Sequence, residues 1–182
     1  MKKKILLLCV YVLLFGVCCV GTTFAVLTSK SRQLDNTFVY GDITLSLTET
    51  TGSTYTLIPG SIVDKDPRIT VGKNSVDCWL FVKLECDDAF DAMVDYELAA
   101  GWTPLESEDG VYWRKVEQTI MDKTYGVLQD NRVVVSSTVT EAQLASLEHS
   151  EKLTFSAYAI QCEGISTPQA AWEFVKSGGN EL

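Results

Sequence analysis

Histidine occurs once in the 182 residues, as His149. Any site that needs two imidazoles is therefore excluded, including the H-E-x-x-H helix of zinc proteases. His149 sits between Glu148 and Ser150 at a predicted helix end and reads as an exposed loop residue. No G-x-S-x-G elbow is present, so the chain offers no hydrolase nucleophile beside it. Basic residues are scarce too: 15 Lys and Arg face 24 Asp and Glu, a formal net charge of −9. A nucleic-acid binder needs a basic face to displace counterions, and this balance is the reverse. No C-x-x-C pair occurs, which removes zinc-ribbon and thioredoxin-type readings. No internal repeat or low-complexity tract stands out, and no cofactor is implied. The hydrophobic fraction of 46% still suffices for a packed core, and the length suits one ordinary domain.

The long apolar run that is present lies at the N-terminus. Lys2, Lys3 and Lys4 form a basic n-region, and Ile5 to Val20 follows almost without interruption. Thr23 and Ala25 then place small residues at the −3 and −1 positions of a signal-peptidase site, with Val26 as the first mature residue. Residues 1–25 are thus read as a signal helix, whose partner during export is a signal peptidase. The alternative is a retained anchor over residues 5–27, long enough for the ~20 residues that span a bilayer. Membrane contact is expected only through that segment, if it stays uncleaved. Beyond Ala25 the chain keeps 24 acids and 12 bases, a net of −12, which suits a soluble, self-repelling surface outside the cell.

Residues 26–36 are mostly polar and read as a flexible leader; residues 37–182 read as one β domain. Asp42 to Thr48 alternates at period two, as a half-buried strand does. Pro59-Gly60 and Asp64 to Pro67 are breaks. In Asp77 to Glu85, Cys78, Leu80, Val82 and Leu84 face one way and Trp79 and Phe81 the other, which predicts a central strand buried on both sides. Ala92 to Leu98 fits strand or helix. Val111 to Val116 is a strand, and Tyr125 to Leu128 with Arg132 to Val139 reads as a hairpin around Asp130-Asn131. Thr140 and Gln143 form a capping box for a short helix. Lys152 to Cys162 is a long strand, and Thr167-Pro168 opens a last helix that Gly178 ends. Many short strands without βαβ alternation predict an all-β fold, a two-sheet antiparallel sandwich with one or two short helices.

Three cysteines remain after the signal: Cys78, Cys86 and Cys162. An oxidising compartment permits one disulfide. Cys86 and Cys162 lie near the ends of the two best strands and can bridge if those strands are antiparallel neighbours; three buried or surface thiols are the alternative. Asp64 and Asp66, and Asp87, Asp88 and Asp91, are clustered carboxylates. Without a full EF-hand loop they read as solvated turn acids rather than a calcium or other metal site. Trp79, Trp102, Trp113 and Trp172 read as core, with an exposed sugar platform as the other reading.

Two blocks carry a resemblance. Residues 2–27, ending Gly21-Thr22-Thr23-Phe24-Ala25, resemble signal peptides cleaved by SipW-type peptidases of Gram-positive bacteria. Asn36-Thr37-Phe38-Val39-Tyr40-Gly41 resembles the first strand of TasA/camelysin-type proteins. Leu57-Ile58-Pro59-Gly60 with Lys65-Asp66-Pro67 resembles their next landmark, and Ala157 to Gln161 their closing strand. The resemblance implies a jelly-roll sandwich, secreted or on the cell surface, related to biofilm matrix fibre subunits. Asn36, Phe38, Gly41, Pro59 and Gly60 would be its structural motif residues. It implies a non-enzymatic protein that associates with itself or with other matrix proteins through β-strand addition by the leader. A surface adhesin or carbohydrate-binding module using Trp102 or Trp172 is the alternative. Metallo-endopeptidase activity, attached to some relatives, lacks its zinc motif here.

Overall fold

The computed structural model describes residues 36–51, 57–118, 120–145, 147 and 153–178. They form a mostly β domain. The strands are β1 (Asn36–Tyr40), β2 (Leu45–Thr48), β3 (Ile62–Asp64), β4 (Arg68–Val71), β5 (Cys78–Cys86), β6 (Val94–Asp95), β7 (Thr103–Pro104), β8 (Val111–Val116), β9 (Lys123–Gly126), β10 (Arg132–Val135) and β11 (Leu153–Gln161). Three helices join them: α1 (Asp88–Asp91), α2 (Glu141–Ala145) and α3 (Pro168–Lys176). Hydrogen bonding divides the strands into a five-stranded sheet in the order β1-β11-β5-β8-β7 and two smaller ones, β3-β10-β6 and β2-β4-β9.

The centre of the large sheet follows from composition. β5 carries apolar side chains on both faces, so it is stable only with neighbours on both edges and layers on both sides. β11 pairs with it antiparallel along its whole length, from Leu153 opposite Cys86 to Gln161 opposite Cys78. β8 takes the other edge. Leu80, Val82 and Leu84 of β5, with Phe155, Ala157 and Ala159 of β11, then face both small sheets, meeting Leu47, Ile69, Val71 and Val133. On the opposite face Trp79, Phe81 and Ile160 meet Ala171, Trp172 and Val175 of α3. Phe81 is fully buried there, and burying a side chain of its class is worth about 1.5–3 kcal/mol. A third cluster lies beneath β10, where Met93, Val135, Val139 and Leu147 meet.

Both predicted helix starts form. Thr140 and Gln143 exchange reciprocal hydrogen bonds at the head of α2. The Thr167 hydroxyl accepts from Ala170 N–H at 3.2 Å, with Pro168 opening α3. Other expectations need correction. Ala92 to Leu98 is neither one helix nor one strand: α1 precedes it, Val94 and Asp95 pair with β10, and Leu98 makes an isolated antiparallel bridge to Leu128. The hairpin around Asp130-Asn131 does not form. β9 pairs with β4 while β10 pairs with β3 and β6, so the two lie in different sheets. Both Asp130 and Asn131 have left-handed φ (52° and 54°) inside a 3-10 turn, and Val127 and Leu128 before them are buried. Burial of those two side chains carries the strand past its neighbour before the chain turns. Finally, β1 pairs with β11 in parallel, not antiparallel.

Candidate functional site

β1 lies at one edge of the five-stranded sheet, with β11 on its inner side and, among the described residues, no strand bonded to its outer side. Its register runs from Asn36 opposite Ser156 to Tyr40 opposite Ile160. Phe38 stacks on Tyr158 with ring centroids 4.9 Å apart, and Tyr158 in turn meets the Trp172 ring edge-on. Phe38 nevertheless keeps 45% of its surface exposed, and Val39 is exposed beside it. Gly41 turns the chain off this edge at a φ of 104°, against the Gln161 side chain. β11 runs on past the start of β1: among the described residues, Leu153, Thr154 and Phe155 pair with β5 on one side only. The result is a short, open edge whose main-chain donors and acceptors can bond an incoming strand.

A second edge, open among the described residues, belongs to β3. Pro59 and Gly60 form the turn before it, closed by Ser61 N–H to the Ile58 carbonyl at 2.9 Å. Gly60 has a φ of 76°, the position where a type II turn requires glycine. Ile58 and Ile62 project from this edge largely exposed.

Between these edges lies a junction that the sequence reading missed. Lys65 and Glu49 form an ion pair at 2.8 Å, with side chains only 9% and 5% exposed. Asp66, also buried, accepts from the N–H groups of Thr50 and Thr51 at 2.8 and 3.0 Å and from the Thr50 hydroxyl at 2.7 Å. Asp66 is therefore not the solvated turn acid expected, whereas Asp64 is exposed. The Thr50 hydroxyl depresses the Asp66 carboxyl most, burial pushes the other way, and the two backbone N–H groups add to the lowering, bringing it to about 2. A carboxyl depressed on folding contributes stability that is full above its unfolded value of 3.8 and is lost as pH falls towards 2. Urea midpoints measured between pH 5 and pH 2 should thus fall more steeply for the native chain than for Asp66→Asn; parallel curves would refute the assignment. The signal in the sequence was Lys-Asp-Pro between two strands, but nothing local showed that the chain at residues 49–51 would cross it.

The remaining site residues are placed as follows. Thr23, Ala25, Val26 and His149 lie outside the described residues, as do the signal helix and the leader up to residue 35. The disulfide between Cys86 and Cys162 is contradicted. The strands are antiparallel neighbours, but Cys86 faces Leu153, so Cys162 lies beyond the far end of β11, nine strand residues or roughly 30 Å away. Cys162 adjoins Cys78 instead, through its N–H to the Asp77 carbonyl at 2.8 Å. Those two thiols point to opposite faces, Cys78 into the core against the small sheets and Cys162 into the α3 core, so all three cysteines are free. Burial is the main cause that pushes Cys78 and Cys86 up to about 12, the second with help from Asp91, and both are thiols rather than thiolates at neutral pH.

Asp87, Asp88 and Asp91 are exposed around α1, where Asp91 accepts from the Tyr96 hydroxyl at 3.4 Å. Among the described residues no group of three His, Cys, Asp or Glu is placed to hold a metal ion. Trp79, Trp102 and Trp172 are buried and Trp113 half-buried. The reading of Trp102 and Trp172 as an exposed sugar platform is therefore corrected in favour of core packing. No helix among the described residues is long and apolar enough to cross a membrane. Comparison with protein-family models, with curated proteins and with solved structures finds no match for this chain.

Proposed function

We propose that the chain is an exported structural protein of TasA/camelysin type, a subunit of the extracellular matrix or cell surface of a Gram-positive bacterium. In this reading the two small sheets together form the second layer of a jelly-roll sandwich, and residues 1–25 are removed at export. The protein is not an enzyme; its activity is association with further copies or with other matrix proteins. The mechanism is strand addition, in which the polar leader of one copy lies along an open sheet edge of the next and exchanges main-chain hydrogen bonds with it.

The observation that carries the proposal is the position of β1. The leader feeds directly into a strand that already sits at a sheet edge and presents Phe38 and Val39 outward. Most soluble domains blunt such edges with charge, proline or a covering loop. Here the β7 edge has Pro104, while the β1 and β3 edges expose Phe38, Val39, Ile58 and Ile62. The net charge keeps separate copies apart, so assembly should depend on a specific main-chain contact rather than on general stickiness.

The test is size-exclusion with light scattering, over time and concentration, on residues 26–182 and on the same chain without residues 26–36. The longer chain should grow into large regular species. The shorter one should remain monomeric with an unchanged near-ultraviolet circular dichroism spectrum. Assembly of the shorter chain would sink the strand-addition mechanism.

A further inference from the structure

Arg114 belongs to β8, opposite Leu80 of β5, between Tyr112 and Val116, which pack into the core facing the small sheets. Its guanidinium carbon lies over the Tyr125 ring at 3.9 Å and over the Trp102 ring at 5.2 Å. One ring comes from β9 in the facing sheet. The other immediately precedes β7, whose Thr103 pairs with Trp113, so Trp102 falls beside Arg114 in the same register. Trp102 is itself fixed, donating from Nε1–H to the Gly126 carbonyl at 2.8 Å. Gly101, at a φ of 91°, completes the enclosure: a Cβ there would come within 2.7 Å of Arg114 Nη2. The cation is thus held by two rings and a position that only glycine fills comfortably.

What it lacks is an acceptor. Among the described residues Arg68 and Arg132 each have an aspartate within ion-pair distance, whereas Arg114 has no carboxylate and no hydrogen-bonding partner for its side chain. Burial lowers its pKa, and only the neighbouring Tyr125 acts in the other direction. Aromatic faces stabilise the charge, but they satisfy none of the five N–H donors of a guanidinium. No Arg114 nitrogen is a fully buried atom without a partner, so the unused donors of this half-buried fork reach solvent, where an acceptor can engage them.

We propose that Arg114 is the binding site for a single carboxylate group on a small acidic ligand, an organic acid or a sugar acid. Two parallel N–H···O bonds form along the edge of the guanidinium, and Trp102 and Tyr125 hold the cation in place. The charge on the site selects a monoanion. Lys115, the next residue, lies on the opposite face of the sheet over Trp79, and Lys123, two residues before Tyr125 on β9, donates to the Glu117 carbonyl at 3.3 Å, so neither of these lysines is left to neutralise a phosphate dianion. The surrounding negative charge disfavours that dianion further. This assignment is independent of strand addition and stands or falls separately.

The experiment follows the Arg114 Nε–H resonance and tryptophan fluorescence of the full-length chain. Sodium acetate and sodium galacturonate are added in turn, with sodium chloride and sodium phosphate as comparisons at constant ionic strength. A saturable shift with either carboxylate, half-complete at roughly millimolar concentration, is expected. Tighter binding of galacturonate identifies a sugar acid, and equal binding identifies the bare carboxylate as the recognised group. Arg114→Lys should weaken binding about tenfold, because a point charge replaces the fork, and Arg114→Met should abolish it. A shift that never saturates, that chloride reproduces, that phosphate evokes more strongly, or that survives Arg114→Met overturns the proposal. The resonance titration on the unsubstituted chain decides the matter even if the methionine variant fails to fold.

Discussion

Lys65→Ala is expected to destabilise the domain by about 3–5 kcal/mol, the usual cost of removing one partner from a buried ion pair. The pair is closed on both sides: Lys65 Nζ donates to both Glu49 oxygens at 2.8 and 3.0 Å and lies 5.4 Å from the centre of the Phe155 ring. The substitution leaves the Glu49 carboxylate in the interior without its ammonium partner. Urea denaturation measures the loss. A companion double substitution, Lys65→Met with Glu49→Leu, removes both charges and should recover much of it, since an apolar isostere of a buried pair is often close to neutral. Raising the salt concentration should change the stability difference little, because a buried pair is weakly screened. A loss below about 1 kcal/mol would place the pair with surface salt bridges and contradict its burial.

Phe81→Ala should cost a similar amount, about 3–5 kcal/mol, for a different reason. Phe81 is fully buried at the middle of β5, and its ring centroid is 5.2 Å from that of Trp172. Truncation leaves a cavity between the sheet and α3 that the rigid strand pair cannot collapse. Leu80→Ala, one residue away on the other face, should cost about 2–5 kcal/mol. The two are separable by spectroscopy. The first should alter the near-ultraviolet circular dichroism of the tilted and edge-on rings around Trp172, and the second should leave that signal largely intact. Identical spectra for both variants would mean that the two faces of β5 do not carry separate cores.

These residues also show what was legible before the structure was known. The alternation through Cys78 to Leu84 is short-range information, and it assigned each side chain to its correct face. Helix caps are equally local, and those at Thr140 and Thr167 were readable from three or four residues each. Pairing is not local. Asp130-Asn131 carries every mark of a hairpin turn, yet its flanking strands choose partners in different sheets because burial of Val127 and Leu128 outweighs the local turn preference. Register was illegible for the same reason. Antiparallel pairing of the two long strands, the stated condition for the disulfide, is present, yet that arrangement itself sets their C-terminal ends, with Cys86 and Cys162, at opposite ends of the pair. The Arg114 enclosure draws on residues from three separate segments, and in Val111 to Val116 the arginine looks like any polar strand residue. The Glu49–Lys65 pair was hidden likewise, since charged residues in a loop are ordinarily solvated.

The parallel contact between β1 and β11 has a bearing on the order in which the domain can fold. Asn36 pairs with Ser156, about 120 residues later, and closing a loop of that length carries a large entropic cost before any contact repays it. β5 depends on the same late strand for one of its two edges. Pairs such as β4 with β9 and β5 with β8 span shorter stretches of chain and can form earlier, but the large sheet stays incomplete until β11 arrives. Such high contact order belongs to the slow end of single-domain folding, milliseconds to seconds. A chain threaded N-terminus first through a narrow passage would therefore emerge as an unclosed polymer, with β1 joined to no sheet until β11, the last strand, follows it out.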